Sequence, residues 1–253
     1  VKGSVTVKTN PLTANAEGLV LGSFRLGDWN PDASAWVPAT LTADASSLPL
    51  AWRAVVEVTP GSAFRLAGGE AGTIDLQAPV TLQGWASPTL PITFASLVSA
   101  SGYNTVSGRT DLNGAVQGDT ALSASITLTG PGRVAVESGS LTINANPGLN
   151  LPNGIGAQYP NSLVSGGTPT NAYNLLFDIF AGAQATVNGP IVLGEGGVSK
   201  IGGGDLTFNS QANEYTGPTN VQGGHLQVNG PLPATANCTN GGTSNLCSSG
   251  DRA

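Results

Sequence analysis

The chain has 253 residues and a formal net charge of −6 at pH 7, and only 9% of its residues are charged. Ordinary soluble domains contain about 25% charged residues, so small hydroxyl and amide groups must cover most of this surface. The 9 Lys and Arg residues are scattered along the chain, which argues against nucleic acid and anionic membranes as partners, and no apolar run reaches the roughly 18 residues of a membrane-spanning helix.

The first 120 residues are predicted to form irregular β structure. Residues 1–8 alternate like a strand, with Val1, Val5 and Val7 on one face, and all four Trp residues lie within the first 85 positions. The end of a stack of strands exposes unpaired edges and needs a cap. We therefore predict that residues 1–120 form a cap or a small β-sandwich of their own.

Residues 28–32 have the alternating oxygen spacing that opens a calcium-binding loop. The remainder of that loop is missing, because Ala33 stands where its glycine would be and Ala39 where its bidentate Glu would be. An Asx turn is the simpler interpretation. No metal site is predicted there or elsewhere in the chain.

A short pattern of apolar, polar and apolar residues, often followed by Asn, recurs along the chain. Examples are residues 141–144, 185–188, 206–209 and 226–229. Such alternation is typical of a half-buried strand, and a strand this short must stack on a neighbouring turn of chain. We predict an all-β fold in which residues 121–232 form a right-handed β-solenoid (parallel β-helix) with rungs of about twenty residues.

Residues 171–183 are the one stretch where a helix competes with a strand. Leu175, Leu176, Phe177, Ile179 and Phe180 lie too densely to separate a buried helix from a strand by period alone. The β-branched and aromatic content before Gly182 favours a strand.

Residues 196–229 have the most ordered motif of the chain. Glycines, Asn and Tyr punctuate short alternating segments, in the order Gly197, Lys200, Gly202, Gly204, Leu206, Phe208, Asn213, Tyr215, Gly217, Thr219, Val221, Gly224, Leu226 and Val228. This order resembles the autotransporter-associated β-strand repeat, also called the passenger-associated transport repeat. The resemblance implies a secreted bacterial surface protein, exported by the type V route, in which the repeat assists folding of the passenger during translocation.

Within this motif, alternation predicts which side chains face inward. We expect five of them inside the solenoid, namely Leu206, Phe208, Val221, Leu226 and Val228. Tyr215 should pack against the corner at residues 213–217, and Gly217 is expected to matter if that corner needs a positive φ.

Two cysteines, Cys238 and Cys247, lie in a polar segment that we assign to a C-terminal loop, residues 233–253. Exposed thiols in such a loop would be reactive, so we predict that the two form a disulfide. A disulfide implies folding in an oxidising compartment, either the periplasm or outside the cell. Two cysteines with a single His are too few for a structural zinc site.

No catalytic or cofactor-binding constellation is predicted. His225 is the only imidazole, and its place between Gly224 and Leu226 predicts an outward-facing, solvated side chain. The acidic residues show no pairing that sequence spacing can identify as a glycosidase pair. We therefore expect neither catalysis nor a cofactor.

These observations favour a secreted structural or adhesive β-solenoid at the bacterial cell surface, with other cell-surface components as partners. One alternative is a filament in which the chain binds itself, with Val1, Val5 and Val7 on a strand donated to a neighbour's sheet. A second is a polysaccharide-binding or polysaccharide-degrading β-helix. For that alternative, outward Thr, Ser and Asn side chains on stacked strands would form a flat hydrogen-bonding surface for carbohydrate.

Overall fold

The computed structural model describes residues 3–7, 23–44, 55–68, 74–76, 80–85, 91–106, 124–144, 153–157, 174–211, 213–230, 236–238 and 242–244. The described residues form strands, turns and bends, and they contain no helix. Twenty-three of the strands lie in three parallel sheets, and two form an antiparallel hairpin. This architecture confirms the predicted all-β solenoid class, while its handedness stays a prediction.

The three sheets are named here by their order along one turn of the chain. Sheet 1 contains β1 (Gly3–Val7), β5 (Ala39–Asp44), β7 (Ala63–Ala67), β10 (Ala95–Ser101), β13 (Gly132–Val136), β16 (Leu175–Ile179), β19 (Val198–Ile201), β22 (Thr219–Val221) and β24 (Ala236–Cys238). Sheet 2 contains β8 (Asp75–Leu76), β11 (Tyr103–Val106), β14 (Ser140–Ile143), β17 (Gln184–Val187), β20 (Asp205–Phe208), β23 (Gly224–Val228) and β25 (Gly242–Ser244). Sheet 3 contains β2 (Ser23–Leu26), β6 (Val55–Val58), β9 (Val80–Leu82), β12 (Ala124–Leu128), β15 (Asn153–Ala157), β18 (Ile191–Gly194) and β21 (Glu214–Tyr215).

One rung is a passage from sheet 1 through sheet 2 to sheet 3. The chain follows β16, β17 and β18 in this way and then returns to sheet 1 at β19. Each strand pairs in parallel with its counterparts one rung before and after it, as β16 does with β13 and β19. Hydrogen bonds between rungs thus satisfy the main-chain N–H and C=O groups of the strands. These strands have only two to seven residues and would not be stable alone.

The ambiguous stretch at residues 171–183 contains β16, so the strand interpretation is confirmed. Leu175, Phe177 and Ile179 are fully buried, whereas Leu176 and Asp178 are half-buried on the opposite face. The burial period is therefore two, which a strand produces and a helix does not.

Parallel strands also occupy the N-terminal half, where we predicted a less regular structure. β5 and β7 stand in the same sheet as β13 and β16, so the solenoid extends beyond the C-terminal half. Rung length explains why the sequence did not reveal this. Successive strands of sheet 1 begin 32, 37 and 43 residues apart between Ala63 and Leu175, against 21 between Val198 and Thr219. The division of the chain at residues 120 and 232 stays a prediction.

The N-terminal strand is part of the solenoid of its own chain. β1 pairs with β5 in parallel, with Val5 opposite Leu41 and Val7 opposite Ala43. It continues the register of sheet 1 by one rung, so its main-chain groups that face β5 are paired within the chain, and strand donation to a neighbour stays a prediction. Val1 lies outside the described residues.

An antiparallel hairpin interrupts the parallel order between β2 and β5. β3 (Asp28–Asn30) pairs with β4 (Ala35–Val37) across a turn in which the Asp32 backbone N–H donates to Asn30 Oδ1 over 3.1 Å. This side-chain contact two residues apart is an Asx turn. The interpretation of residues 28–32 as a turn is therefore confirmed.

The core is a column of inward side chains that continues from rung to rung. Leu206 and Phe208 of β20 are fully buried, and Phe208 packs on Phe177 with ring centroids 5.7 Å apart. All five side chains predicted to lie inside the repeat are at most 5% exposed. Among the described residues, no segment is a helix with the length and hydrophobicity needed to cross a membrane.

Candidate functional site

Two consecutive rungs contain the repeat motif. The first comprises β19, β20 and β21, and the second continues through β22 and β23. The two rungs stack in register, with Val198 opposite Thr219 and Leu206 opposite Leu226. Equivalent positions of the motif are therefore neighbours in space, and the module is a pair of rungs that support each other.

The inward-facing charge of this module is Lys200. Its neighbours along β19, Ser199 and Ile201, are half-buried on the outer face, but the Lys200 side chain is fully buried. Its Nζ donates to the carbonyl oxygens of Gly223 at 2.8 Å and Gly202 at 2.9 Å, and to that of Ile201 at 3.3 Å. Three acceptors match the three donors of an ammonium group, so a charge that would be costly to bury is fully hydrogen-bonded.

Burial lowers the pKa of Lys200 to about 8, because desolvation disfavours the charged form. The negative charges of Asp205 and Asp178 act in the opposite direction and limit the fall. The amine is mostly charged at neutral pH. It therefore holds the bend between β19 and β20 to the equivalent bend of the next rung, because its acceptors belong to both.

Glycines form these bends between sheets 1 and 2 because other residues would not fit. Gly202 has φ +79° and Gly224 has φ +62°, a region that side chains rarely adopt. A Cβ on Gly202 would lie 2.8 Å from the Ile179 carbonyl carbon and closer still to its oxygen. Both the backbone angle and the approach of the preceding rung thus select glycine.

Gly217 is required for a different reason from the positive φ that we considered. It is not among the described glycines with positive φ. A Cβ there would lie 2.5 Å from the carbonyl carbon and oxygen of Gly196 in the preceding rung. Close stacking of main chain on main chain therefore excludes a side chain at this corner.

Tyr215 and Asn213 join the corner at residues 213–217 to its surroundings. The buried Tyr215 hydroxyl lies 2.8 Å from the Thr219 hydroxyl, and burial raises the pKa of Tyr215 to about 12. Asn213 accepts from the Ile191 backbone N–H and donates to the Ser210 carbonyl oxygen. Both residues thus satisfy buried polar groups across the turn.

A ladder of asparagines runs along the outside of the solenoid at the exit of sheet 2. Each amide donates from Nδ2 to Oδ1 of the residue one rung before it, over 2.7–2.8 Å, in the order Asn229 to Asn209, Asn209 to Asn188, and Asn188 to Asn144. The Asn positions of the recurring sequence pattern are thus one continuous hydrogen-bonded column. This asparagine ladder spans four rungs and is exposed or half-exposed along its length.

Two further columns stand beside the ladder on the outer face of sheet 2. The first contains Gln184, Asp205 and His225, and the second contains Thr186, Thr207 and Gln227, each in consecutive register. Together these six residues line a shallow open groove. We refer to it as the sheet 2 groove. The exposed His225 lies there, as predicted for an outward-facing side chain.

The ion pairs seen among the described residues lie on the other two sheets. Arg65 and Glu137 form a bidentate pair at 2.9 and 2.6 Å over two rungs of sheet 1, and Arg133 pairs with Asp178 at 2.5 Å. On sheet 3, Arg25 pairs with Glu57 at 2.8 Å. These cations are neutralised by neighbours, so the described part of the chain presents no row of free cations to a polyanion.

Comparison with known proteins locates the same module. The family described as passenger-associated-transport-repeat matches residues 198–228. The chain carries a passenger-associated transport repeat. Over 237 residues it is also 27% identical to the adhesin BmaC autotransporter of Brucella suis biovar 1 (strain 1330). That alignment covers 83% of this chain and only 6% of the relative, and no solved structure matches.

Within the transport repeat, the structure groups the predicted residues by role. Leu206, Leu226 and their inward neighbours form core, the glycines form corners, and Lys200 links two corners. Cys238 ends β24, but its predicted disulfide partner Cys247 lies outside the described residues, so the disulfide stays a prediction. Among the described residues, no group of three or more His, Cys, Asp or Glu side chains is placed to hold a metal ion.

Two features of the site were not predicted from the sequence. Alternation along β19 could have indicated the burial of Lys200, because Lys200 lies two residues after the buried Val198 and therefore on the same inward face of the strand. The asparagine ladder also had a signal, because Asn follows the alternating segment at residues 144, 188, 209 and 229. In both cases at least one partner of the side chain lies in another rung, which local pattern does not identify.

We expect Tyr215→Phe to destabilise the transport repeat by about 1 kcal/mol. The change removes the hydroxyl and leaves the buried Thr219 hydroxyl without its partner, while the ring stays in the core. Urea unfolding followed by circular dichroism measures the loss. Thr216→Val, at an exposed position of the same corner, is the comparison variant. An equal loss in the two variants would show that the buried hydroxyl pair contributes nothing special.

We expect Asn209→Asp to weaken the asparagine ladder by about 1 kcal/mol at neutral pH. The carboxylate cannot donate to Asn188 Oδ1 and repels it, although it still accepts from Asn229. Below about pH 4 the carboxyl is protonated and donates again, so stability should recover. Chemical unfolding at pH 7 and pH 3.5 tests this. Asn220→Asp, on the outer face of sheet 1, should show no such pH-dependent recovery.

Proposed function

We propose that this chain is part of a secreted bacterial cell-surface protein and acts there as a structural and adhesive β-solenoid. Secretion or surface display is supported by the transport repeat and by the autotransporter adhesin to which most of the chain is similar. The adhesive role is inferred from the name of that relative. Because the chain spans only 6% of the relative's length, its own share in adhesion is a proposal.

The observation that best supports this proposal is the continuity of the solenoid. Sheet 1 runs through nine strands from β1 to β24 without a change of direction. Such a stack is a rod in which each rung is fixed by its neighbours. A rod of this kind suits the display of a binding surface away from the cell. The chain has few charges, and the Arg residues of its described part are paired with acidic neighbours, so polar and apolar contacts are left as the means of adhesion.

Export through an oxidising periplasm is part of the proposal, and it rests on the predicted pair Cys238 and Cys247. Thiol alkylation of the secreted protein without reduction tests it. Protection of both cysteines supports the route, and quantitative labelling of both contradicts it. No catalytic activity is proposed, and the name of the relative, an adhesin, agrees with that expectation.

Bead adhesion and surface labelling test the proposed function directly. Antibodies against this chain should label intact cells that express the parent gene, without permeabilisation. Beads coated with the purified chain should attach to immobilised cell-surface material. Beads coated with the same chain after thermal denaturation serve as the matched control. Labelling only after permeabilisation would contradict surface display, and equal attachment of both bead types would contradict an adhesive role for the folded solenoid.

The filament and the polysaccharide-degrading alternatives gain no comparable support. The filament hypothesis rests on strand-edge or donated-strand pairing between copies, and β1 pairs with β5 of its own chain. The relative's name mentions neither polymerisation nor polysaccharide degradation.

A further inference from the structure

The sheet 2 groove differs chemically from the rest of the described surface. The outer face of sheet 1 carries paired Arg and acidic residues, whereas the groove presents amides, hydroxyls, one imidazole and one carboxylate. It contains no Lys or Arg, and its apolar members, Ala185 and Leu206, are buried behind it. Polyanions and apolar ligands are therefore poorly matched to it, and a neutral ligand rich in hydrogen-bonding groups is well matched.

The polar groups of this groove are held in a fixed array. Thr186 lies opposite Thr207 in the adjacent strand. Two residues earlier on the same two strands, Gln184 lies opposite Asp205. Adjacent strands lie about 4.8 Å apart, and alternate residues on one strand about 7 Å apart. Backbone pairing on both sides of β20 sets these spacings, so a ligand meets this array without a rearrangement of the backbone.

Several of these groups are also available. The asparagine ladder satisfies itself from rung to rung, but the side chains of Gln184, Thr186 and Thr207 have no hydrogen-bond partner among the described residues. Gln227 has donor capacity beyond its single bond to Asn229. The ladder thus forms a closed edge, and the two columns beside it remain open to an external partner.

We propose that the sheet 2 groove is a carbohydrate-binding site for a neutral glycan that lies along the solenoid axis. This inference rests on the proposed adhesive function and names the class of ligand. Sugar hydroxyls would form hydrogen bonds with the hydroxyls of Thr186 and Thr207 and with the side-chain amides of Gln184 and Gln227. The Asp205 carboxylate would accept hydrogen bonds from two further sugar hydroxyls. The groove lacks an aromatic platform, so each site binds weakly, and avidity at a cell surface comes from many copies.

Saturation-transfer NMR with a panel of neutral oligosaccharides tests the proposal. The panel contains β-1,3- and β-1,4-glucans, chitooligosaccharides and galactans, titrated against the whole purified chain. At least one member is expected to bind with a dissociation constant of about 1 mM. The double variant Thr186→Val and Thr207→Val should weaken that binding at least tenfold. Valine keeps the branched Cβ that strands favour, so the strands should persist.

The matched control is Thr42→Val, a half-buried threonine of β5 in sheet 1, outside the groove. It should leave glycan binding unchanged, and thermal unfolding should report equal stability for all variants. Asp205→Asn is a poorer probe, because the Asp205 charge also acts on Lys200. Absence of binding across the panel at about 10 mM, or an equal loss in Thr42→Val, would overturn the proposal.

The bead experiment separates this inference from the proposed function. If coated beads attach to cell-surface material but no glycan binds, the carbohydrate assignment fails while adhesion stands. If the beads do not attach, the adhesive function itself fails. Attachment that the double valine variant abolishes, and that free oligosaccharide inhibits, supports both.

Discussion

Gly202→Ala is expected to destabilise the solenoid by about 4 kcal/mol, a large fraction of the roughly 5–15 kcal/mol that stabilises an ordinary domain. Two costs add. The backbone holds φ +79°, which costs an L-residue about 1–2 kcal/mol, and the new Cβ would overlap the Ile179 carbonyl of the preceding rung. The clash is with main chain in a stacked sheet, so it cannot be relieved by a side-chain rotation.

Gly182→Ala provides a matched control for this effect. Gly182 has φ +80° in the bend that follows β16, one rung earlier, but a Cβ there would meet nothing within 4 Å. Its expected cost is therefore the backbone term alone, about 1 kcal/mol. Urea unfolding of both variants measures the two values. Similar losses would show that the close approach of rungs at Gly202 is unimportant.

Lys200→Met is expected to destabilise the transport repeat by about 3 kcal/mol at pH 7. Methionine fills most of the same space, but the carbonyl oxygens of Ile201, Gly202 and Gly223 lose their common donor inside the protein. Removal of a buried charge offsets part of that loss. Unfolding of the variant by urea, with Ser199→Ala on the outer face of the same strand as control, measures the net effect. If the variant were as stable as wild type, the free energy gained from the three hydrogen bonds would equal the cost of desolvating the ammonium, and Lys200 would contribute no net stability.

The same residue predicts how stability depends on pH. The pKa of Lys200 is about 8 in the folded chain and 10.5 in the unfolded chain, so between these values the unfolded state binds more protons. Stability should therefore rise from pH 8 to about pH 10.5. Tyr215 acts in the opposite sense, because its pKa rises from 10.0 to about 12 on folding and stability should fall across that interval.

A maximum of stability near pH 10 is thus expected from these two groups. Unfolding free energies measured from pH 7 to pH 12 test it. Lys200→Met should abolish the rise in stability between pH 8 and about pH 10.5, and Tyr215→Phe should abolish the fall between pH 10 and about pH 12. Each variant should leave the other part of the profile unchanged. A wild-type profile that falls steadily from pH 8 would contradict the assignment of Lys200.

Local alternation was sufficient to predict much of this fold. Leu206, Phe208, Leu226 and Val228 alternate with polar residues, and a strand places every second side chain on one face whatever its partner. Short segments between Gly and Asn turns then required stacking, because segments of four residues have no other way to satisfy their backbone. The transport repeat was recognisable for the same reason, since its corners depend on glycines at set intervals.

Stacking register, in contrast, was decided only in three dimensions. Lys200 is charged, and nothing local indicates that carbonyls of its own bend and of the next rung would surround its ammonium. β1 resembles a strand available for donation, yet its register places it on β5 at the end of its own sheet. The rungs between Ala63 and Leu175 differ in length, so counting along the chain does not reveal which residues become neighbours.

The sequence by itself determined the strand class, the inward faces and the glycine corners, because these depend on backbone geometry and on residues two or three positions apart. The tertiary structure decided which rungs meet, and with them the buried ammonium, the asparagine ladder and the sheet 2 groove. Each of these three features includes a contact between residues about twenty or more positions apart, and that contact exists only once parallel pairing has set one rung on the next.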